Sequence, residues 1–193
     1  MLELDFIQKV CVVISLGSVG LLLSIIVVPF LNDYGTLVGL DGSINVIDNE
    51  KIFSSLDAFS YISYTIGDLT CHQIESRTFI LNGNEMPICI RDFSLFSGFV
   101  SGMIICCFKR FQFNYKVLMT ILFCIVLSPL EWYLEHISDI DYVTLRVLSS
   151  VITGISFAIG VQIFLSLEIE ILKRLRSKKH DKKNRCTNQS LGQ

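Results

Sequence analysis

Three short stretches of the chain concentrate residue types that do chemistry. TCHQIESR places Cys71, His72 and Arg77 close together. PICIRD holds Cys89, Arg91 and Asp92. PLEWYLEH holds Glu131, Glu135 and His136, and Arg146 follows soon after. Thiolate, imidazole and carboxylate together are the ligand types that zinc accepts. Cys89 and Asp92 are three residues apart at an expected helix start, which lets both side chains point one way. Glu131 and Glu135, four apart, share one helix face and repel if both are ionised. A proton, an arginine or a metal must then lie between them.

The elements that position these residues are membrane spans. Apolar residues make up 51% of the 193 residues and charged ones only 18%, below the quarter or so usual in soluble domains. Four spans are expected, over about 10–31, 90–108, 115–134 and 145–168. The first is charge-free and long enough for a hydrocarbon core of about 30 Å. Glu3 and Asp5 ahead of it, and the lack of a small-residue cleavage site after it, favour an anchor over a signal peptide. The second and third reach full length only if Arg91, Asp92 and Glu131 lie within the bilayer or at its edge. Ionisable groups there pair with one another or line a polar cavity.

Charge sets the expected orientation. The loop KRFQFNYK and everything from Lys173 onward are basic, with eight Lys or Arg and one acid in the latter. By the positive-inside bias both belong in the cytoplasm, and so do both termini. The reading is an all-α bundle of four spans in the cell membrane: one membrane domain over 1–172, an outer segment over 32–91, and a disordered basic tail over 173–193. No folded basic face suits nucleic acid. The bilayer and an anionic lipid headgroup are the expected partners, and the oligomeric state is left open.

Within the outer segment, LVGLDGSINVI alternates around Asp41-Gly42 and suits a small hairpin. Ile52 to Leu69 repeats apolar residues at helical spacing and suits one amphipathic helix capping the bundle or lying in the interface. Asn82-Gly83 is a turn signal. Gly154 and Gly160, with Ser150, Thr153 and Ser156, suit close packing of the fourth span. Asp139 and Asp141 are expected to be solvated, and His136 exposed.

A specific pattern runs through the polar stretches. Cys71-His72-Gln73, Ser76-Arg77, Phe79, Asn82-Gly83 and Met86-Pro87-Ile88-Cys89-x-Arg91-Asp92 with Gly98 resemble a family of predicted integral membrane proteins, domain of unknown function 2085. Pro129, Glu131, Glu135, Arg146, Gly154 and Gly160 look like that family's later elements. Glu131 stands where Asp is usual there, Glu135 where Gln is usual, and Trp132 where Gly is usual. The resemblance covers roughly residues 61–160. It implies a membrane fold and a place for a site, and no particular reaction.

Cys71 and Cys89 have three readings. They form a disulfide on an oxidising outer face, they ligate zinc with Asp92, or they are buried thiols. Neighbours Cys71 and His72 rarely reach one ion together, so His72 is read as a base, as a support to the ligands, or as a hydrogen-bonded structural residue. Arg77, Arg91 and Arg146 either staple the bundle through Asp92, Glu131 and Glu135 or clamp an anion. The leading expectation is a site at the outer membrane face with Cys71, Cys89 and Asp92 as zinc ligands. His72, Glu131 and Glu135 are its catalytic candidates, and Arg77, Arg91 and Arg146 its substrate-binding ones. It would act as a hydrolase or transferase on a lipid or lipid-linked substrate. The alternative is a non-enzymatic membrane module: a small transporter, a proton or ion pathway, or an assembly factor. A thiol-redox protein ranks behind both, since no Cys-x-x-Cys step is present.

Overall fold

A computed structural model of the chain describes residues 6–138 and 142–191, with side chains described over 6–137 and 142–176. Asp139, Asp141 and the side chain of Cys186 lie outside the described residues. The helices are α1 (Phe6–Val27), α2 (Glu50–Phe53), α3 (Ala58–Thr70), α4 (Ile90–Phe108), α5 (Tyr115–Ser138) and α6 (Val143–Leu191). Four of them contain segments long and apolar enough to cross a membrane: Phe6–Phe30, Ile90–Phe108, Tyr115–Ile137 and Val143–Arg176. The chain is a predominantly helical multi-pass membrane protein, as its composition implies. Arg91, Asp92, Glu131, Glu135 and Arg146 all fall inside these spans.

Packing follows small residues and single stripes. On α1 the buried residues are Ile7, Cys11, Ser15 and Ser18, a helical stripe of one turn's spacing. Leu16, Leu21 and Leu23 on the remaining surface are exposed, as a lipid-facing helix requires. The α4–α6 pair is the most extensively packed in the molecule. A Cβ on Gly154 would fall 2.0 Å from Leu95 O, and one on Gly98 2.3 Å from Val151 O. These helices therefore approach backbone to backbone, as small residues allow in membranes. Gly102 belongs to the same contact, since its Cβ would meet Ala158 Cβ at 2.7 Å. The expectation for Gly160 is corrected: nothing lies within 4 Å of where its Cβ would be, because it faces away from α4.

The turn from α4 to α5 is pinned by Gln162, which is fully buried in α6. Its amide nitrogen donates to Cys106 O and Lys109 O, and its Oε1 accepts from the Phe111 N–H. Beyond Arg176 the backbone of α6 continues as helix to Leu191. The tail expected to be disordered is thus helical in its backbone. Leu, Lys and Arg favour helix over the first part of it.

The segment between α1 and α4 departs most from expectation. Strands β1 (Thr78–Leu81) and β2 (Asn84–Cys89) form an antiparallel hairpin. Leu81 pairs with Asn84, so Asn82 and Gly83 are the two turn residues, at φ +53° and +70°. Positive φ at both positions is the turn that suits a twisted two-strand ribbon. The Asp41-Gly42 hairpin does not form. Residues 41–49 instead wrap the carboxylate of Asp68, which is fully buried. It accepts from the N–H groups of Asp48 and Asn49 and from the Asn49 side chain. The single helix expected over Ile52–Leu69 is two. Asp57 interrupts it and caps α3, accepting from the N–H groups of Phe59 and Ser60, a role short polar side chains favour. Val28, Leu37, Leu40, Phe53 and Tyr64 are the apolar centre of this segment.

Candidate functional site: a thiol, carboxylate and arginine cluster at one end of the bundle

Cys71 ends α3 and Cys89 precedes α4, and a chain of small contacts brings them together. The Cys71 N–H bonds back to Gly67 O at 2.8 Å. A Cβ at Gly67 would lie 1.9 Å from Pro87 O, so only glycine lets α3 lie this close to β2. Gln73 completes the join. Fully buried, it donates from Nε2 to Pro87 O at 2.8 Å and holds its own backbone at φ +46°. For a non-glycine residue that conformation costs on the order of 1 kcal/mol, offset here by the bond its side chain makes. The Cys89 N–H then points at Cys71 Sγ, 3.3 Å away.

Asp92 lies in the first turn of α4. Cys89 Sγ donates to its Oδ2 at 3.3 Å. One ligand atom each from Cys71, Cys89 and Asp92 lies within 4.8 Å of the others. Both cysteines are free thiols. The Cys71 thiol is held below its ordinary pKa by its hydrogen bonding with Cys89. Cys89 is pushed up by that same bond, by burial and by the Asp92 charge. Of the two, Cys71 is therefore the thiol that gives up its proton more readily.

Beside the thiols lies a cavity of about 80 Å³ lined by Cys71, His72, Arg77, Cys89, Arg91 and Arg146, with Gln73 and Ile74. That is room for a few waters or one small anionic group. His72 is exposed at its mouth and is outside the three-ligand group. Arg77 is half-buried. Among the described residues its guanidinium pairs with no carboxylate.

Arg91 and Arg146 differ from Arg77 in this respect. Arg91 Nη2 reaches Glu131 Oε2 at 3.1 Å and Glu135 Oε2 at 3.5 Å. Arg146 Nη2 reaches Glu135 Oε1 at 2.8 Å, and its Nε stands 4.0 Å from Glu131 Oε1. Two arginines and two glutamates thus close a buried cluster of zero formal charge across α4, α5 and α6. The pair of carboxylates on one face of α5 is separated by arginine, one of the three solutions their spacing allows. Near the same end of α5, His136 is exposed and stacks on Trp132 with ring centroids 5.8 Å apart. It takes no part in the cavity.

All nine sequence candidates therefore converge on one end of the bundle. Gln73 and Gly67 are positioning residues that residue type alone did not single out. Gln73 lies in the Cys-His-Gln motif, but only its positive φ and its bond to Pro87 reveal what it does.

Residues 71–164 match the model of a family described as a predicted membrane protein (DUF2085). This part of the chain is similar to that family, in keeping with its Cys-His-Gln and Cys-x-Arg-Asp stretches. An uncharacterized protein of Methanocaldococcus jannaschii is 32% identical over 71 residues, which are 37% of this chain and 38% of that protein. The match thus spans little more than a third of that relative's length. No solved structure matches the chain.

Proposed function

We propose that Cys71, Cys89 and Asp92 hold a divalent cation of zinc's type at the outer membrane face. In this reading both chain termini lie in the cytoplasm of a cell-membrane protein, following the basic loop and tail. The observation that carries the proposal is the approach of two thiols and a carboxylate to within 4.8 Å of one another beside a polar cavity. Tetrahedral zinc, with ligands at about 2.0–2.3 Å, sets its donors roughly 3.3–3.8 Å apart. A contraction of about 1 Å closes the site. Three protein ligands leave a fourth position, the arrangement of catalytic rather than structural zinc.

A bound cation would supply Lewis acidity and an activated water. The chain's own residues would do the rest. Arg77 offers the uncompensated positive charge for an anionic group, and its fork suits phosphate or carboxylate. His72 stands at the cavity mouth, where an imidazole can take or give a proton. Glu131 and Glu135 hold Arg91 and Arg146 in place instead of moving protons. The activity that fits is hydrolysis or group transfer on a lipid or lipid-linked substrate.

A second reading takes the cluster as structural. It is favoured by the closed Arg91–Glu131–Glu135–Arg146 arrangement, which ties three spans without any ligand. Metal content of the purified protein, measured by mass spectrometry beside Cys89→Ala and Asp92→Ala, separates the two. About one zinc per chain, lost in both variants, is the expected result. No metal in the wild-type protein after mild purification removes the metal reading. Intact mass would then tell whether Cys71 and Cys89 are joined as a disulfide.

A further inference from the structure

One surface of α3 has no partner among the described residues. Phe59, Ile62 and Ile66 lie three and four residues apart on one face and are 45%, 56% and 56% exposed. With Leu21 and Ile25 of α1 and Phe96 of α4 they line a groove of about 350 Å³. The serines in this groove make no demand on a ligand. Ser24 donates to Leu21 O and Ser63 to Phe59 O, each within its own helix. Hydroxyls in hydrocarbon are satisfied in this way.

The depth of the groove identifies its surroundings. Leu21 lies six residues before the end of α1 and Phe96 six residues after the start of α4. At 1.5 Å per residue both are about 9 Å inside the helix ends. The face of α3 therefore sits level with the outer turns of the spans, and its apolar stripe continues the exposed surface of α1. On its other side the groove shares a thin wall with the polar cavity. Gly67, Pro87 and Ile88 face the groove, while Cys71 and Cys89, close by in sequence, face the cavity.

We propose that this groove is a lipid-binding site that takes an acyl chain of a glycerophospholipid from the adjoining leaflet, with the lipid's anionic headgroup turned toward Arg77. The occupant is a lipid because the groove opens from the bilayer-facing surface of α1, where acyl chains already lie. The anionic preference follows from Arg77, the cavity arginine whose charge no carboxylate offsets among the described residues. This names the substrate class for the site proposed above and rests on that reading only for the claim that the bound lipid is a substrate.

Fluorescence quenching tests it. The chain has one tryptophan, so Trp132→Phe leaves none. In that background, Ile66→Trp and Ile62→Trp place the probe on the groove, Leu16→Trp on the open face of α1, and Glu50→Trp on the outer segment. Each protein is reconstituted in phosphatidylcholine vesicles with a minority of phosphatidylglycerol, and either lipid carries brominated chains. The groove probes should lose most of their fluorescence when the phosphatidylcholine is brominated, and Glu50→Trp little. When only the phosphatidylglycerol is brominated, they should be quenched more than Leu16→Trp, and Arg77→Gln should remove that excess. Groove probes quenched no more than Glu50→Trp would show that α3 does not reach the chains and overturn the proposal. So would quenching equal to that of Leu16→Trp by the minority lipid, which marks ordinary boundary lipid. Quenching that appears only on diluting the protein in lipid would mean a second copy covers the groove, with the same consequence. Metal content of the same samples keeps the two ideas apart. Excess quenching without metal removes the metal reading and leaves this one, and metal without excess does the reverse.

Discussion

Arg146 on α6 sets a single guanidinium nitrogen, Nη2, against both oxygens of Glu135 on α5, at 2.8 and 2.9 Å. The side chains are 2% and 3% exposed. Such a pair stabilises little relative to apolar residues, but removing one member leaves the other charge buried. Glu135→Ala should therefore cost about 3–5 kcal/mol. The paired replacement Glu135→Leu with Arg146→Met should recover most of that. Thermal unfolding in detergent reads both, and a single variant as stable as wild type would mean that water reaches Arg146.

The contact between α4 and α6 makes a different demand. Gly154 places its backbone where a Cβ would lie 2.0 Å from Leu95 O. A methyl group there must push the helices apart, and overpacking typically costs about 1–3 kcal/mol. Gly154→Ala should lower the unfolding temperature while Gly160→Ala, in open space, should not. Equal effects at the two positions would show that helix propensity and not packing is at stake.

The contrast between these glycines shows what sequence can and cannot convey. Spans are legible because hydropathy over 18 or more residues depends on no partner. The convergence of Cys71, Cys89, Asp92, Glu131, Glu135 and Arg146 is legible too, since span order fixes which ends meet. Gly102 and Gly160 cannot be told apart by type, because the phase of α6 against α4 decides which faces the contact. The hairpin of β1 and β2 shows a turn but no strands. β2 is buried along four successive residues, Asn84 to Pro87, so the alternation that marks a strand with one solvated face is missing. The loop over 41–49 misleads for the opposite reason. It alternates, yet the N–H groups of Asp48 and Asn49 go to Asp68 and those of Gly42 and Asn45 to His72 O and Leu69 O, acceptors that only the fold reveals.

That anchoring gives a direct expectation. Asp68 accepts from two backbone N–H groups and one side-chain amide. Asp68→Ala would take the acceptor from these part-buried donors, at up to about 1–3 kcal/mol each where water cannot reach them. The loop over 41–49 should then lose hydrogen-exchange protection at Asp48 and Asn49, with the spans unaffected. Asp68→Asn should lie between, because one oxygen remains. Unchanged protection in Asp68→Ala would mean the loop is held by its other contacts, among them the Gly42 and Asn45 N–H bonds to His72 O and Leu69 O.

Glu85 makes the segment between α1 and α4 sensitive to pH. It lies on β2 fully buried, and its Oε1 accepts from the Gly39 N–H. Burial pushes its pKa above the ordinary carboxylate range, and the Glu75 charge adds to this. The N–H groups of Gly39 and Leu40 oppose the shift without cancelling it. Tyr64 packs on the same strand, donating to Glu85 O, and its own pKa is raised by burial and by Glu85. A carboxyl whose folded pKa is raised binds its proton more tightly in the folded state. The stability it contributes is complete below the unfolded pKa, about 4.3 for a glutamate. It is lost as pH rises through the raised value. The segment between α1 and α4 should therefore loosen over a range of pH above the ordinary glutamate pKa of about 4.3, read as falling hydrogen-exchange protection at Gly39 and Glu85. Glu85→Gln keeps an acceptor for Gly39 and cannot ionise, so its protection should stay level across that range. A wild-type profile as flat as that of Glu85→Gln would show that water or a rearranged loop solvates the carboxylate.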